Sequence, residues 1–297
     1  MKGSIPAELG TITTLTELDL SDNELTDTIP AEIGNLVELT YLSLWGNELT
    51  GAIPTEIGNL VKLTSLFLYD NELTGAIPAE IGSLVELRVL YLGDNELTGA
   101  IPTEIGNLVQ LTELYLAYNK LTGAIPAEIG SLVELTDLWL GDNTLLTGAI
   151  PGSISKLTSL KYFSTARNGG LSGSVPSELG LLTKLNMVDV RDNGLTGNLP
   201  PAWASHAFVE TNDDDYDDDY DDDYDDDGGD DDYIPDDSMH LGGNNFNVPP
   251  CASGCAGPHN VCYGTAACPT AEEEKDSAAR LGFASLVAVA LAIVSSV

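Results

Sequence analysis

Aromatic side chains recur along this chain at a fixed interval. Phe67, Tyr91, Tyr115 and Trp139 follow one another at steps of 24 residues. Large aromatic rings give extensive contact area at little cost in side-chain entropy, and they are enriched where proteins bind one another. Residues of this type, presented in a row on one surface, predict recognition of a ligand.

Side chains that could perform catalysis do not form a recognisable group in the sequence. The histidines are His206, His240 and His259. None accompanies a nucleophile turn of the type Gly-x-Ser-x-Gly, a phosphate-binding glycine loop or a kinase catalytic loop. Aspartates such as Asp94 and Asp142 stand beside recurring asparagines, where a solvated turn acid is the simpler interpretation. We therefore predict that the chain is not an enzyme and holds no cofactor and no catalytic metal.

The aromatic residues lie inside a repeated phrase. Residues 87–99 read LRVLYLGDNELTG, and residues 39–51, 63–75 and 111–123 are close copies. Recurrence at a fixed period indicates a repeat architecture, in which each unit buries its apolar face against its neighbours. One asparagine marks each unit, and we predict a structural role for this series: Asn23, Asn47, Asn71, Asn95, Asn119, Asn143, Asn168 and Asn193.

The spacing within one phrase predicts its local structure. Leu90 and Leu92 alternate with Val89 and Tyr91, so the two pairs point to opposite faces of a short strand. The asparagine comes where the chain leaves this strand, and its amide can bond backbone groups of the turn and of the next coil. Residues 80–84 indicate a short helical segment. We predict an α/β repeat solenoid with parallel strands on the concave face and short helical or 3₁₀ segments on the convex side.

The outward strand positions carry the predicted binding site. Core packing does not explain their aromatic residues, because leucine already fills the inward positions. The alternative is that duplicated units merely repeat aromatics that the surface tolerates. Acids lie at both ends of the strip, at Asp19 and Asp189. The predicted ligand-binding residues are Tyr41, Trp45, Phe67, Tyr69, Tyr91, Tyr115, Tyr118, Trp139 and Tyr162.

The phrase L-T-G-x-I-P at this period resembles a known family. It is similar to the plant-type leucine-rich repeats of receptor-like kinase ectodomains, receptor-like proteins and polygalacturonase inhibitors, over roughly residues 1–203. The resemblance implies an extracellular solenoid that binds a ligand on its concave face, without a kinase domain. One departure is the lack of any Asn-x-Ser/Thr glycosylation acceptor, since secreted proteins of this type usually have several.

An acidic block interrupts the last repeat. From Asp213 to Asp237 the chain repeats Asp-Asp-Asp-Tyr, and a run that repels itself in this way is expected to be disordered. Dense carboxylates also allow weak Ca²⁺ binding, and the tyrosines among them allow sulfation. Residues 239–246 resume the repeat pattern, so we predict an insertion within a terminal coil.

The predicted division of the whole chain is 1–203 leucine-rich repeats (about eight, truncated at the amino end), 204–238 disordered Asp/Tyr-rich insertion, 239–250 terminal repeat, 251–270 cysteine-rich cap and 271–297 anchor signal or membrane tail.

Four cysteines follow the terminal repeat: Cys251, Cys255, Cys262 and Cys268. We predict two disulfides that cap the last coil in an oxidising compartment, with the pairing left open among three possibilities. A zinc site is the rival interpretation, but the spacing does not match the usual paired cysteine knuckles.

Both ends of the chain bear on its location. Residues 281–297 are apolar and uncharged, but a membrane-spanning helix needs about 20 such residues. We predict a glycolipid-anchor signal, with a minimal transmembrane tail as the alternative. The chain begins within a repeat and shows no signal peptide. We therefore expect a truncated amino end, the alternative being a cytoplasmic protein with a frayed first coil.

The charge narrows the classes of partner. A formal net charge of −36 excludes nucleic acid held through its phosphates. We predict a cell-surface recognition protein for a protein or peptide ligand, with a glycan as a further ligand class. Two alternatives stay open: a structural or adhesive cell-wall protein, and an inhibitor of a secreted hydrolase.

Overall fold

The computed structural model describes residues 1–205 and 238–246. Within these ranges the chain winds into successive coils. Each full coil contributes a strand to one sheet, then a strand to a second sheet, then a short 3₁₀ helix. This is the α/β solenoid that the sequence predicts. The acidic block from Asp213 to Asp237, the four cysteines and the apolar tail lie outside the described residues.

The first sheet is parallel and has nine strands of three residues in the described part of the chain. Neighbouring strands pair without offset, so that Leu66, Leu90 and Leu114 lie side by side. The strands are β2 (Glu17–Asp19), β4 (Tyr41–Ser43), β6 (Ser65–Phe67), β8 (Val89–Tyr91), β10 (Glu113–Tyr115), β12 (Asp137–Trp139), β14 (Tyr162–Ser164), β16 (Met187–Asp189) and β18 (Ser238–His240).

A second parallel sheet, which the repeat pattern does not predict, forms from the L-T-G-A segments. In most of these pairings the register is offset by two residues, so that Thr74 lies beside Glu96 and Thr98 lies beside Ala76. Its strands are β5 (Thr50–Ala52), β7 (Glu72–Ala76), β9 (Glu96–Ala100), β11 (Lys120–Gly123), β13 (Leu145–Gly148), β15 (Gly170–Gly173), β17 (Gly194–Gly197) and β19 (Asn245–Phe246). A separate parallel pair joins β1 (Lys2–Ser4) to β3 (Glu24–Thr26).

Short 3₁₀ helices form the side of the solenoid opposite the first sheet, as predicted. A proline precedes most of them, and its fixed φ suits the entry to a helix. No helix in the described residues is both long and apolar enough to span a bilayer. The helices are Ala7–Thr11, Ala31–Asn35, Thr55–Asn59, Ala79–Ser83, Thr103–Asn107, Ala127–Ser131, Gly152–Lys156, Ser177–Leu181 and Pro201–Ser205.

The core consists of rows of leucine and isoleucine side chains, and every coil contributes one residue to each row. Leu90 and Leu92 are fully buried, as are their equivalents in the neighbouring coils. Burial of one such side chain stabilises the fold by about 1.5–3 kcal/mol. In the seventh coil Phe163 and Thr165 take these two inward positions, and both are fully buried there. The core is therefore continuous through this coil, although its side chains differ.

Asparagines tie each coil to the coil before it. The amide nitrogen of Asn95 donates to the carbonyl of Gly93 in its own turn, at 2.9 Å, and to the carbonyl of Leu68 in the preceding coil, at 3.0 Å. Its amide oxygen accepts from the backbone N–H of Leu73, at 2.9 Å. These bonds reach the preceding coil and not the next, because each asparagine turn lies over the backbone of the coil before it.

Glycines set how closely the helical sides of the coils approach. Gly58 belongs to the helix Thr55–Asn59, and a Cβ placed on it would lie 2.6 Å from the carbonyl oxygen of Glu80 and 2.8 Å from its Cβ. Equivalent glycines at positions 10, 34, 82 and 106 lie equally close to a glutamate of the next coil, and Gly130 lies equally close to Ser153. A side chain at these positions would push adjacent coils apart.

We expect Asn95→Ala to destabilise the protein strongly. The substitution leaves the Leu73 N–H without this partner and leaves the Leu68 carbonyl with only the longer bond from Asn71, and a buried unsatisfied group costs about 1–3 kcal/mol. Asn59→Ala is the matched control, because Asn59 is exposed at the end of a 3₁₀ helix. Urea unfolding measures the difference. Equal midpoints for the two variants would contradict the role of the ladder.

We also expect Gly58→Ala to lower the free energy of unfolding by about 2 kcal/mol, because overpacking forces neighbouring backbone to move. Gly152→Ala is the control, since no atom outside the immediate chain lies within 4 Å of the added carbon. That variant should be neutral or slightly stabilised. Thermal unfolding of the two variants separates the effect of the steric contact from the effect of losing a glycine. Similar shifts in unfolding temperature would argue against a steric limit.

Candidate ligand-binding face

The outward face of the first sheet brings most of the predicted aromatic residues into contact. The sheet alternates inward leucines with outward side chains, so the outward residue of each strand lies beside its equivalent in the next coil. Rings at these positions pack edge to face, stacked or tilted against one another. We call the set of residues joined by ring contacts the aromatic strip: Tyr41, Trp45, Phe67, Tyr69, Tyr91, Tyr115 and Trp139.

One row of the aromatic strip runs along β6, β8, β10 and β12. The ring centroids of Phe67 and Tyr91 are 5.2 Å apart, those of Tyr91 and Tyr115 are 4.2 Å apart, and those of Tyr115 and Trp139 are 5.6 Å apart. All these side chains are half-buried by one another and remain open on one side. Aromatic pairs at such separations stabilise each other beyond their burial, so the row forms a pre-ordered surface.

A second, shorter row begins where the strands end. Trp45 stacks on Tyr69 with centroids 5.2 Å apart and planes 5° apart, and Tyr69 contacts Tyr91 at 6.0 Å. The two rows therefore meet at Tyr91. This junction makes the surface widest over β6 and β8.

Two predicted site residues lie beside the aromatic strip. Tyr118 occupies the turn after β10, and its hydroxyl accepts a hydrogen bond from Nη2 of Arg167 at 3.0 Å. The same guanidinium donates to both carboxylate oxygens of Asp142, at 2.8 and 3.0 Å. Tyr162 lies at the start of β14, in register with Asp137. The repeat pattern did not single out Arg167, although it occupies the position before the ladder asparagine, as Tyr118 and Asp142 do.

The aromatic row gives way to polar residues in the last coils. Ser164, Asp189 and His240 take its position in β14, β16 and β18, in register with one another. All three are buried. Arg191 forms an ion pair with Asp189 at 3.2 Å. The aromatic strip therefore ends at Trp139, and a charged segment follows.

Carboxylates flank the aromatic strip. Glu113 and Asp137 begin β10 and β12, pair in register and are both half-buried. The Tyr91 hydroxyl donates a hydrogen bond to Glu113. On the opposite side of the row, Asp70 and Asp94 are exposed in the turns that follow the strands. Neither the strand pattern nor the series of asparagines predicted a role for Glu113 and Asp137, because only the register of β10 and β12 shows that the two carboxylates lie side by side.

The arrangement of rings and carboxylates suits binding by contact. Within residues 1–205 and 238–246, no three His, Cys, Asp or Glu side chains come together as a metal site. The Ca²⁺ alternative for Asp213 to Asp237 lies outside these ranges. What the described face offers is an ordered aromatic surface bordered by negative charge.

Comparisons with known proteins agree with the repeat architecture. The family model described as "Leucine-rich repeat region" matches residues 3–138 and 76–199. A search of curated protein sequences gives no match.

Two similar solved structures are plant receptor ectodomains. The plant peptide hormone receptor RGFR1 in complex with RGF2 is 39% identical, with a TM-score of 0.67, over 68% of this chain and 32% of that one. The ectodomain of the Arabidopsis thaliana receptor kinase GASSHO1/SCHENGEN3 in complex with CASPARIAN STRIP INTEGRITY FACTOR 2 is also 39% identical, with a TM-score of 0.65, over 70% of this chain and 25% of that one. This chain therefore spans a third or less of those ectodomains.

A third similar structure is a plant ice-binding protein, which is 31% identical with a TM-score of 0.51. The alignment covers 67% of this chain and 71% of that protein. The recurrent phrase, the two parallel sheets and the family match lead to one conclusion. This chain belongs to the leucine-rich-repeat proteins and is similar to the plant receptor ectodomains among them.

Proposed function

We propose that this protein is a cell-surface recognition protein that binds a peptide or protein ligand on the aromatic strip. One observation carries the proposal: seven aromatic side chains contact one another on the outward face of a sheet whose inward positions are filled by leucine. The core does not require them. Aromatic residues clustered on a rigid surface are typical of binding hot spots.

The similar receptors support the ligand class. RGFR1 binds the peptide hormone RGF2, and the GASSHO1/SCHENGEN3 ectodomain binds CASPARIAN STRIP INTEGRITY FACTOR 2. Both are much longer than this chain, so transfer of peptide binding to it is part of the proposal. The same similarity supports an extracellular location. The glycolipid anchor, the disulfides and the role of the acidic block stay predictions.

The size of the aromatic strip fits a short segment of extended chain. Adjacent strands of a sheet lie about 4.8 Å apart, so the five strands from β4 to β12 span about 19 Å. An extended peptide rises about 3.3 Å per residue, and about six residues therefore cover this length. A ligand of this size can span the row from Phe67 to Trp139.

We expect the double substitution Tyr91→Ala and Tyr115→Ala to weaken ligand binding at least tenfold, because truncation of central aromatic anchors typically costs about 2 kcal/mol or more. The experiment selects binders to the full chain from a displayed library of random peptides and measures their affinity for each variant. The control carries Val85→Ala and Val109→Ala, which remove exposed apolar side chains beside the 3₁₀ helices.

The control variant should bind the selected peptides as the parent protein does. Equal urea midpoints for all three proteins would show that the aromatic substitutions act on the surface and not on folding. Peptides whose affinity is unchanged by the loss of both tyrosines would contradict the proposal. Binding that depends instead on residues of the second sheet would favour the structural or adhesive alternative.

Recognition of an ordered lattice is a second candidate, raised by the similarity to the plant ice-binding protein. The second sheet presents exposed threonine and alanine residues in successive coils. The offset register weighs against it, however, because Thr74 lies between Ala52 and Glu96. A row across the strands therefore mixes methyl, hydroxyl and carboxylate groups, and does not repeat one group at the strand spacing.

We therefore expect the protein not to inhibit ice recrystallisation. The measurement compares the growth of ice grains in the presence of the full chain and of a Thr98→Glu variant, which places a charge on the second sheet. Inhibition by the parent protein that the variant loses would establish lattice binding and overturn the preference for the aromatic strip.

A further inference from the structure

We propose that the ligand of the aromatic strip is a basic peptide, with lysine or arginine side chains that lie between the rings and the flanking carboxylates. This inference rests on the proposed function and adds the charge of the ligand. It follows from where the acids stand relative to the rings, and from the register of the strands that carry them.

Glu113 and Asp137 form a like-charged pair on the binding face. They are directly opposite each other in the parallel register of β10 and β12. Like charges at such positions destabilise a sheet. Both side chains are half-buried beside Tyr115 and Trp139, so water screens their repulsion less than it would at a fully exposed site. A bound cation would relieve this repulsion.

The rings add a second attraction for the same kind of group. A cation over the face of a tryptophan or tyrosine is stabilised by the electrons of the ring. Tyr91 joins the two features, because its ring contacts Tyr115 and its hydroxyl donates to Glu113. An arginine or lysine side chain placed above Tyr115 could therefore contact aromatic faces and a carboxylate together.

The other border of the aromatic strip is also acidic in the turns after β6 and β8. Asp70 and Asp94 are exposed in these turns, three residues after the strands end. Asp142 follows in the same row, where Arg167 holds it in an ion pair. A peptide that runs along the strip thus passes carboxylates on both sides of the rings. With a net charge of −36 on the chain, the long-range field also favours the approach of a positive ligand.

The test uses the full chain and three labelled pools of random peptides with equal aromatic and aliphatic content. The pools differ only in carrying Lys and Arg, Ser and Gln, or Asp and Glu at the same positions. We expect the basic pool to bind at least about tenfold more tightly than the acidic pool, with an affinity that falls as salt is added.

The variant Glu113→Gln with Asp137→Asn keeps the shape of both side chains and removes their charge. We expect it to reduce affinity for the basic pool by about tenfold while leaving the neutral pool unchanged. The matched control, Glu104→Gln with Glu128→Gln, removes the same charge from exposed positions on the 3₁₀ helices. It should bind all pools as the parent does, which separates local contacts from the overall negative charge.

The outcomes distinguish this inference from the proposed function. If the neutral or acidic pool binds as well as the basic one, and the Tyr91→Ala, Tyr115→Ala variant loses that binding, the aromatic strip binds peptides but the basic preference is wrong. If the control loses affinity as much as the Glu113, Asp137 variant, the attraction is not local and the inference fails. If no pool depends on the two tyrosines, the proposed function fails as well.

Discussion

The asparagine bonds between coils are the constraint on which the rest of the structure depends. Each turn leaves backbone carbonyls without a partner inside the fold, and a buried polar group without one is costly. Asn71 meets this need with bonds to its own turn and to Leu44 of the preceding coil, while accepting from Leu49. The same residue thereby fixes the turn and the distance to the coil before it. Strand register, and the stacking of outward rings with it, follows from that fixed distance.

Insertions show how far this constraint tolerates change. The unit of Asn143 carries an extra residue, and there the amide oxygen of Asn168 accepts from the N–H of Asn143 itself, whereas in most other coils the donor lies two residues after the asparagine, as Leu97 does after Asn95. The amide nitrogen of Asn168 still bonds the carbonyl of Leu140 at 3.0 Å. The link between coils therefore survives with one changed partner. The extra length of this unit includes Leu145, which is largely exposed, so the added residue is accommodated outside the core.

The sequence predicts those features of the fold that depend on side-chain periodicity. Leu90 and Leu92 alternate as a buried strand face should, and the helical segment lies where residues 80–84 indicated. The second sheet was not predictable in this way, since glycine and alanine are depleted in strands and Gly99 and Ala100 pair through the backbone alone. The ion pair between Arg167 and Asp142 joins residues 25 positions apart. It becomes visible only when equivalent positions of neighbouring coils are aligned.

Because the units repeat, like charges lie in rows along the solenoid. The burial of a row determines whether its charges affect function. Glu80 and Glu104 occupy equivalent places in successive helices, but both are exposed, and water and salt screen charges at such positions. Glu113 and Asp137 also repeat a charge in adjacent coils, yet aromatic side chains replace part of the water around them. The same repulsion is therefore larger on the aromatic face than on the helical side. The spacing of the charges is the same throughout the solenoid. The charge preference of the binding face therefore depends on the aromatic side chains that surround its carboxylates.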